Sequence, residues 1–162
     1  MQVSGNFMTT TTFINNPKEI EDSTIDKIID LIVSGGQMER IGLKEKLLNA
    51  VFIAYMLNDD GQLICTATLK NPFGSYRTKV YKLSKSLVAP QDEKEIGYIV
   101  TNSNFENQGH CSRLLTKFFQ TIPSLKLYAT TRKPAMVNIL SKFNFKQTGQ
   151  IYNNDLILLI NY

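Results

Sequence analysis

Ile20, Ile25, Ile28, Ile29 and Ile32 recur at helical spacing behind Asn16-Pro17-Lys18-Glu19, a pattern that gathers apolar side chains on one face of a helix. The four preceding residues read as an N-cap, a proline at the first helical position and a capping-box glutamate. Ser34-Gly35-Gly36 ends that helix. A second helical pattern carries Met38, Ile41, Leu47 and Leu48, after which β-branched and aromatic residues predict a strand over Val51 to Leu57. Asn58-Asp59-Asp60-Gly61 is a turn signal, so Gln62 to Leu69 is the antiparallel partner strand.

A long connection follows, in which Ser75 to Leu87 has a helical pattern with Tyr76, Val80, Leu83 and Leu87 on one side. Ile96 to Thr101 is the next strand. The helix after the Gly109 loop is the clearest of all, with Cys111, Leu114, Leu115, Phe118, Phe119 and Ile122 on one apolar face and Pro123 to stop it. Leu125 to Thr130 is a strand, Pro134 opens a helix with Met136, Ile139, Leu140 and Phe143 inward, and Phe145 to Tyr152 and Leu156 to Ile160 are strands. This alternation predicts the α/β class in a single domain, residues 1–162, with a basic insertion at about 70–93.

Length and composition agree, since 162 residues fall within the roughly 100–200 of a single domain. The chain is 43% hydrophobic and 20% charged, which excludes a disordered chain. The longest apolar run, Val51 to Leu57, is far short of the roughly 20 residues that span a bilayer, so no membrane is expected. Met1 to Thr12 has neither a charged start nor an apolar stretch, and a cytoplasmic location is the expectation. Cys65 and Cys111 have no metal-binding spacing, and one histidine, His110, excludes a multi-histidine metal site. No metal is expected.

Net charge is +4, a mild bias toward anionic ligands. Between Lys70 and Lys85 there are five basic residues and no acidic one. Interleaved with Phe73, Tyr76 and Tyr81, that stretch reads as a solvated basic face, a substrate-lining arm, or a surface where nucleic-acid phosphates meet lysines and bases stack on aromatics. Its charge disfavours polycationic acceptors such as polyamines.

The most informative segment is EIGYIVTNSNFENQGHCSRLL, Glu95 to Leu115, a strand, a polar loop and a helix. N–H groups of a helix's first turn lack intrahelical acceptors and carry the positive end of the dipole, so they welcome an anion. Gly109, with the small Cys111 and Ser112, allows close approach. Neither GxxxxGK(S/T) nor GxGxxG is present, which sets aside a nucleotide P-loop and a dinucleotide fingerprint.

Two segments in order resemble the GNAT family of acyl-CoA-dependent N-acetyltransferases, the resemblance running from Val51 to the C-terminus. The family's (Q/R)xxGx(G/A) loop aligns with Glu106-Asn107-Gln108-Gly109-His110-Cys111, departing at Glu106 and Cys111. Its second cofactor segment, N-x-x-(A/M) with an (L/Y)-x-K-x-G-F ending, is similar to KPAMVNILSKFNF. Met136, Lys142 and Phe145 agree; Lys133 replaces asparagine, Asn144 replaces glycine, and Leu140 stands where many members keep a tyrosine that protonates the departing thiolate.

The resemblance implies a GNAT fold, a mixed central sheet flanked by helices, and acetyl-CoA as cofactor. It implies that Gln108, Gly109, His110, Cys111, Ser112 and Lys133 hold coenzyme A, with the pantetheine paired to the strand at Ile99 and Val100. An amine acceptor, a small molecule or a protein, is the implied partner, and a homodimer is common in the family. Glu95, at the start of the strand, is the implied proton acceptor. Tyr98, Tyr152 and Cys111 are candidates for protonating the thiolate, with Tyr152 taken forward beside Glu95. As the middle of a phosphate loop, His110 is expected to turn its ring to solvent or the cofactor rim. Two alternatives stay open: a non-catalytic coenzyme A-sensing module of the same fold, suggested by Leu140, and a relative acting on a nucleic-acid-linked amine.

Overall fold

The computed structural model describes residues 8–162; the start of the stretch read above for leader signals lies outside them. Among these residues seven strands form one sheet: β1 (Thr10–Asn15), β2 (Phe52–Asn58), β3 (Leu63–Lys70), β4 (Lys94–Thr101), β5 (Leu127–Thr131), β6 (Lys146–Gln147) and β7 (Ile157–Ile160). Their order is β1-β2-β3-β4-β5-β7-β6. All neighbours are antiparallel except β4 and β5, which are parallel. The helices are α1 (Asp22–Ser34), α2 (Leu43–Leu48), α3 (Gly74–Ser84), α4 (His110–Thr121) and α5 (Pro134–Ser141). The α/β class is as the sequence pattern has it. No helix of the described residues is long and apolar enough to cross a membrane.

Period-two alternation splits the core between the two sheet faces. On β2, Ala54 and Met56 join Leu114, Leu115 and Phe118 of α4 on one face, while Ile53 and Tyr55 join Ile25, Ile28 and Ile32 of α1 on the other. β5 divides the same way: Leu127 and Ala129 face α4, and Tyr128 meets Val80 and Tyr81 of α3. Each fully buried side chain of the size of Phe118 contributes roughly 2–3 kcal/mol, so α4, the crossover between the parallel strands, is fixed firmly under the sheet. Its position sets the position of the Gly109 loop.

Several elements differ from expectation. β1 was not anticipated; it pairs along β2 from Thr10↔Asn58 to Asn15↔Ile53. Pro17–Glu19 forms a separate 3-10 turn, capped by Asn16 Oδ1 accepting from Lys18 N–H at 3.0 Å. Ile20 is then extended and buried, and the helix proper starts at Asp22. The second helical pattern shrinks to α2, because Gly42 just before it is left-handed and Ile41 is exposed.

The α3 face is turned by about one residue: Arg77, Val80, Tyr81 and Ser84 are inward, while Tyr76, Leu83 and Leu87 are exposed. Arg77 earns its inward place by donating from Nη1 to the Glu93 carbonyl at 3.0 Å. Tyr81 meets Tyr128 edge-on, centroids 5.8 Å apart. The expected strand over Phe145 to Tyr152 survives only as β6. Gly149 takes φ +70° and seats the chain against the end of α3, where Gln150 N–H donates to the Ser84 carbonyl at 2.6 Å. A Cβ at Gly149 would stand 2.3 Å from that carbonyl oxygen.

Candidate functional site

β4 and β5 pair only at Lys94↔Leu127 and Glu95↔Tyr128. Just beyond, the β3–β4 register shifts between Thr66 and Thr68, and Tyr98 takes φ +50°. A bulge of this kind bends a strand and re-aims its side chains. A left-handed non-glycine residue costs roughly 1–3 kcal/mol, which the surrounding packing must hold. Past Glu95 the main chain of β4 therefore has no partner on its β5 side. The gap is the floor of two adjoining cavities that share Gly35, Ile99, Val100, Lys133 and Met136 in their walls.

The first cavity, about 340 Å³, is lined by Glu95, Lys70, Tyr98, Tyr76, Thr130 and Arg132 among others. Glu95 is 2% exposed. Its Oε1 lies 3.1 Å from Lys70 Nζ, and its Oε2 accepts from the Tyr128 hydroxyl at 3.2 Å. A carboxylate has about four lone-pair positions, so each oxygen keeps acceptor capacity toward the cavity. Lys70 Nζ also lies 4.4 Å from the centroid of the Tyr98 ring, a cation–π contact. Burial first, then the charge of Glu95, pushes the Tyr98 phenol up to about 12.

The second cavity, about 490 Å³, is built around the start of α4 and is lined by Gly109, His110, Cys111 and Ser112. Gly109 is the N-cap at φ +78°, and no side chain caps the helix. The first-turn N–H groups are thus left for an external acceptor. Arg113 folds back over the loop: one Nη2 donates to the Gln108 carbonyl at 3.0 Å and approaches His110 Nδ1 at 2.8 Å. A Cβ on residue 109 would stand 2.9 Å from Arg113 Nη1, so Gly109 serves both the backbone angle and the seating of this guanidinium. Uncapped donors, the helix dipole and one guanidinium are a donor set suited to a diphosphate.

The His110 ring, contrary to expectation, is buried, 5% exposed, with Phe105 edge-on to it. Nδ1 faces the Arg113 donor and Nε2 lies 3.3 Å from Gln108 Oε1, which selects the tautomer with hydrogen on Nε2. Burial, then Arg113, holds the imidazole below its ordinary value. The ring packs against Phe105 and the Arg113 guanidinium at the side of the loop. Cys111 is half-buried, and burial pushes its thiol up to about 11. It is therefore a small neutral spacer at neutral pH.

No family model matches the sequence, and no curated protein matches it. Solved structures do match. An acyl-CoA N-acyltransferase from Pseudomonas aeruginosa superposes with a TM-score of 0.68 at 12% identity, covering 95% of this chain and 100% of that one. ElaA of Escherichia coli gives 0.69 at 12% identity, with coverage of 95% and 100%. An acetyltransferase of the GNAT family from Streptococcus agalactiae 2603 gives 0.68 at 16% identity over 92% and 93%.

The chain has the GNAT fold. At 12–16% identity the likeness is one of architecture. Within this GNAT fold, Glu95 lies in the first cavity, Gly109, His110, Cys111 and Ser112 in the second, and Ile99, Val100 and Lys133 in both. Gln108 stands just outside, with its amide on His110 and its carbonyl on Arg113. Tyr152 lies in the loop bridging to Leu156, its hydroxyl buried without a hydrogen-bond partner. Burial, then Glu95, pushes that phenol up to about 12, Arg132 pulling the other way.

Three charged residues at or beside the cavities are not among the residues that the sequence points to: Lys70 and Arg132 line the first cavity, and Arg113 folds over the loop beside the second. Lys70 was read as part of a basic arm. A signal existed in the opposite charges of Lys70 and Glu95 on consecutive strands, but it needs the register Lys70↔Glu95, which a long connection does not fix. Arg113 follows the loop glycine by four residues, and its return onto the loop is visible only in three dimensions.

Proposed function

We propose that this protein is an acetyl-CoA-dependent N-acetyltransferase acting on a primary amine. The observation that supports this reading is the pair of adjoining cavities, one at the uncapped start of α4 and one at the buried carboxylate of Glu95, on either side of a strand edge that β5 leaves unpaired. Acetyl-CoA, when bound, would supply the activated thioester. The N–H groups of Gly109 to Ser112 would hold its diphosphate, with Arg113 restoring the charge absent at Glu106. Ile99 and Val100 would offer main-chain partners to the pantetheine amides, and Lys133, at the start of α5, lines the cleft between diphosphate and thioester.

An alkylamine with a pKa of about 10 is almost wholly protonated at neutral pH, so a proton must leave before attack. Glu95 receives it, directly or through a water, at the acceptor positions that Lys70 and Tyr128 leave open. A main-chain N–H at the β4 bulge stabilises the oxyanion without any side chain. Leu140 lines the first cavity and has no proton to give. Tyr152 lines neither cavity; its phenol, pushed up to about 12, is the candidate proton donor for the departing thiolate, which coenzyme A can also release unaided.

The test is isothermal titration with acetyl-CoA and coenzyme A, followed by thiol-release assays over an amine panel. Saturable binding, amine-dependent thiol release and its loss in Glu95→Gln are expected. Absence of binding overturns the proposal. Binding without release for any amine would favour the coenzyme A-sensing alternative.

A further inference from the structure

The charges lining the first cavity are unbalanced: Lys70, Arg132 and Lys133 stand against the single carboxylate of Glu95, which Lys70 already engages at 3.1 Å. A simple alkylammonium would bring a further positive charge into a half-enclosed space where charges are screened less than in bulk water. Arg132 is held in a defined way. Its Nε donates to the Asn154 carbonyl at 2.9 Å and Nη2 to the Asn153 carbonyl at 3.2 Å. Both carbonyls belong to a loop in which Asn153, Asn154 and Asp155 are all left-handed.

A guanidinium has five N–H donors in a rigid fork. Two are spent on that loop, which leaves the Nη1 edge and a second Nη2 hydrogen for a ligand. A fixed fork with a free edge is the geometry that pairs with a planar carboxylate. Lys70 adds to the preference, since an ammonium has three donors and Glu95 is its one ion-pair partner among the described residues.

Resting on the acyltransferase reading above, we propose that the acceptor is a small amino-carboxylate, an amine that carries its own carboxylate. The carboxylate docks on the free edge of Arg132, and the amine turns toward Glu95. The substrate then brings no net charge into the cavity, and its two ends meet the two fixed groups in opposite senses. Arg132 is the specificity-determining residue of this arrangement. The chemistry is ordinary acyl transfer: the ammonium gives one proton to Glu95, the nitrogen forms the amide bond as the thioester C–S bond breaks, and coenzyme A departs as the thiol with the second proton lost from nitrogen.

The experiment uses the full chain, acetyl-CoA and pairs of acceptors that differ only in the carboxylate, such as phenylalanine with phenethylamine and methionine with 3-(methylthio)propylamine. In at least one pair the amino acid is expected to be preferred at least tenfold in kcat/KM. In Arg132→Met that preference should collapse toward unity through KM, and Arg132→Lys should restore part of it. Equal or better use of the plain amines, turnover of no pair, or an unchanged preference in Arg132→Met would overturn the inference. The wild-type comparison needs no variant, so a poorly folding Arg132→Met leaves the test intact. Coenzyme A titration separates the two readings: binding retained with plain amines preferred sinks only the acceptor class, whereas loss of binding sinks the acyltransferase reading itself.

Discussion

Replacing Lys70 by methionine removes the cation that faces Glu95 while keeping most of the apolar stem. In the folded protein the two side chains are 20% and 3% exposed, and Nζ to Oε1 is 3.1 Å. After the substitution the carboxylate keeps only the Tyr128 hydroxyl, at 3.2 Å. Breaking a buried pair from one side costs about 3–5 kcal/mol. Here the carboxylate borders a cavity of about 340 Å³ that water can enter, so the lower end, about 3 kcal/mol, is expected. For a chain of this length that corresponds to a fall in Tm of roughly 6–12 °C.

Glu95→Gln removes the charge but keeps the shape, and Lys70 can straighten its stem toward solvent, so about 1 kcal/mol is expected there. The double variant should lose less than the two single losses together, by about 1–2 kcal/mol. Urea unfolding of the four proteins, with the slope m unchanged across them, measures this coupling. The exposed pair Lys44–Asp26 makes a contrast, since salt should weaken it far more than the cleft pair. If the two losses add within about 0.5 kcal/mol, the pair is not an energetic unit, and the account of a carboxylate held in place for chemistry fails with it.

Two further outcomes follow from loop packing. Because burial and Arg113 hold His110 below 6.5 when folded, the unfolded chain takes up that proton first as pH falls. The contribution of His110 is therefore full above about 6.5 and is lost as pH drops from there through the lower folded value. Thermal melts at pH 7.5 and 5 should show a smaller acid loss in His110→Gln than in the unsubstituted chain; equal losses would contradict the buried neutral ring. Gly149→Ala places a Cβ 2.3 Å from the Ser84 carbonyl oxygen at φ +70°, and a loss of about 2–4 kcal/mol is expected from left-handed strain and overpacking together. Gly36→Ala, also left-handed but with nothing within 4 Å, is the control and should lose only about 1 kcal/mol.

The segment from Glu95 to Ile122 was legible because its signals are local. The strand, the glycine loop and the apolar face of Leu114, Leu115 and Phe118 are all read within one stretch of chain, and they reappear as β4 and α4. β1 was not legible, since Thr10-Thr11-Thr12 at a sheet edge has no alternation to distinguish it from loop, and its partners on β2, from Thr10↔Asn58 to Asn15↔Ile53, are far away along the chain. The face of α3 is not legible because a charged Arg77 predicts an outward position. Its stem is buried once Glu93 offers a carbonyl to its head. The strand after Phe145 was overextended because nothing nearby in sequence reveals that Gly149 must fit against Ser84, a contact across more than 60 residues. Around the cavities, Gly109, Cys111 and Ser112 sit in strong local sequence context, whereas Lys70, Arg113 and Arg132 meet partners that only folding brings near.

The two residue pairs that join β4 to β5 also bear on how the molecule transmits force. Strands β1 to β4 and strands β5 to β7 meet within the sheet along one short edge, with an open slot beyond it, and are otherwise joined through the core that both share on α4. A ligand that bridged that slot would act as a temporary rib, stiffening the sheet with no lid, hinge loop or change of shape.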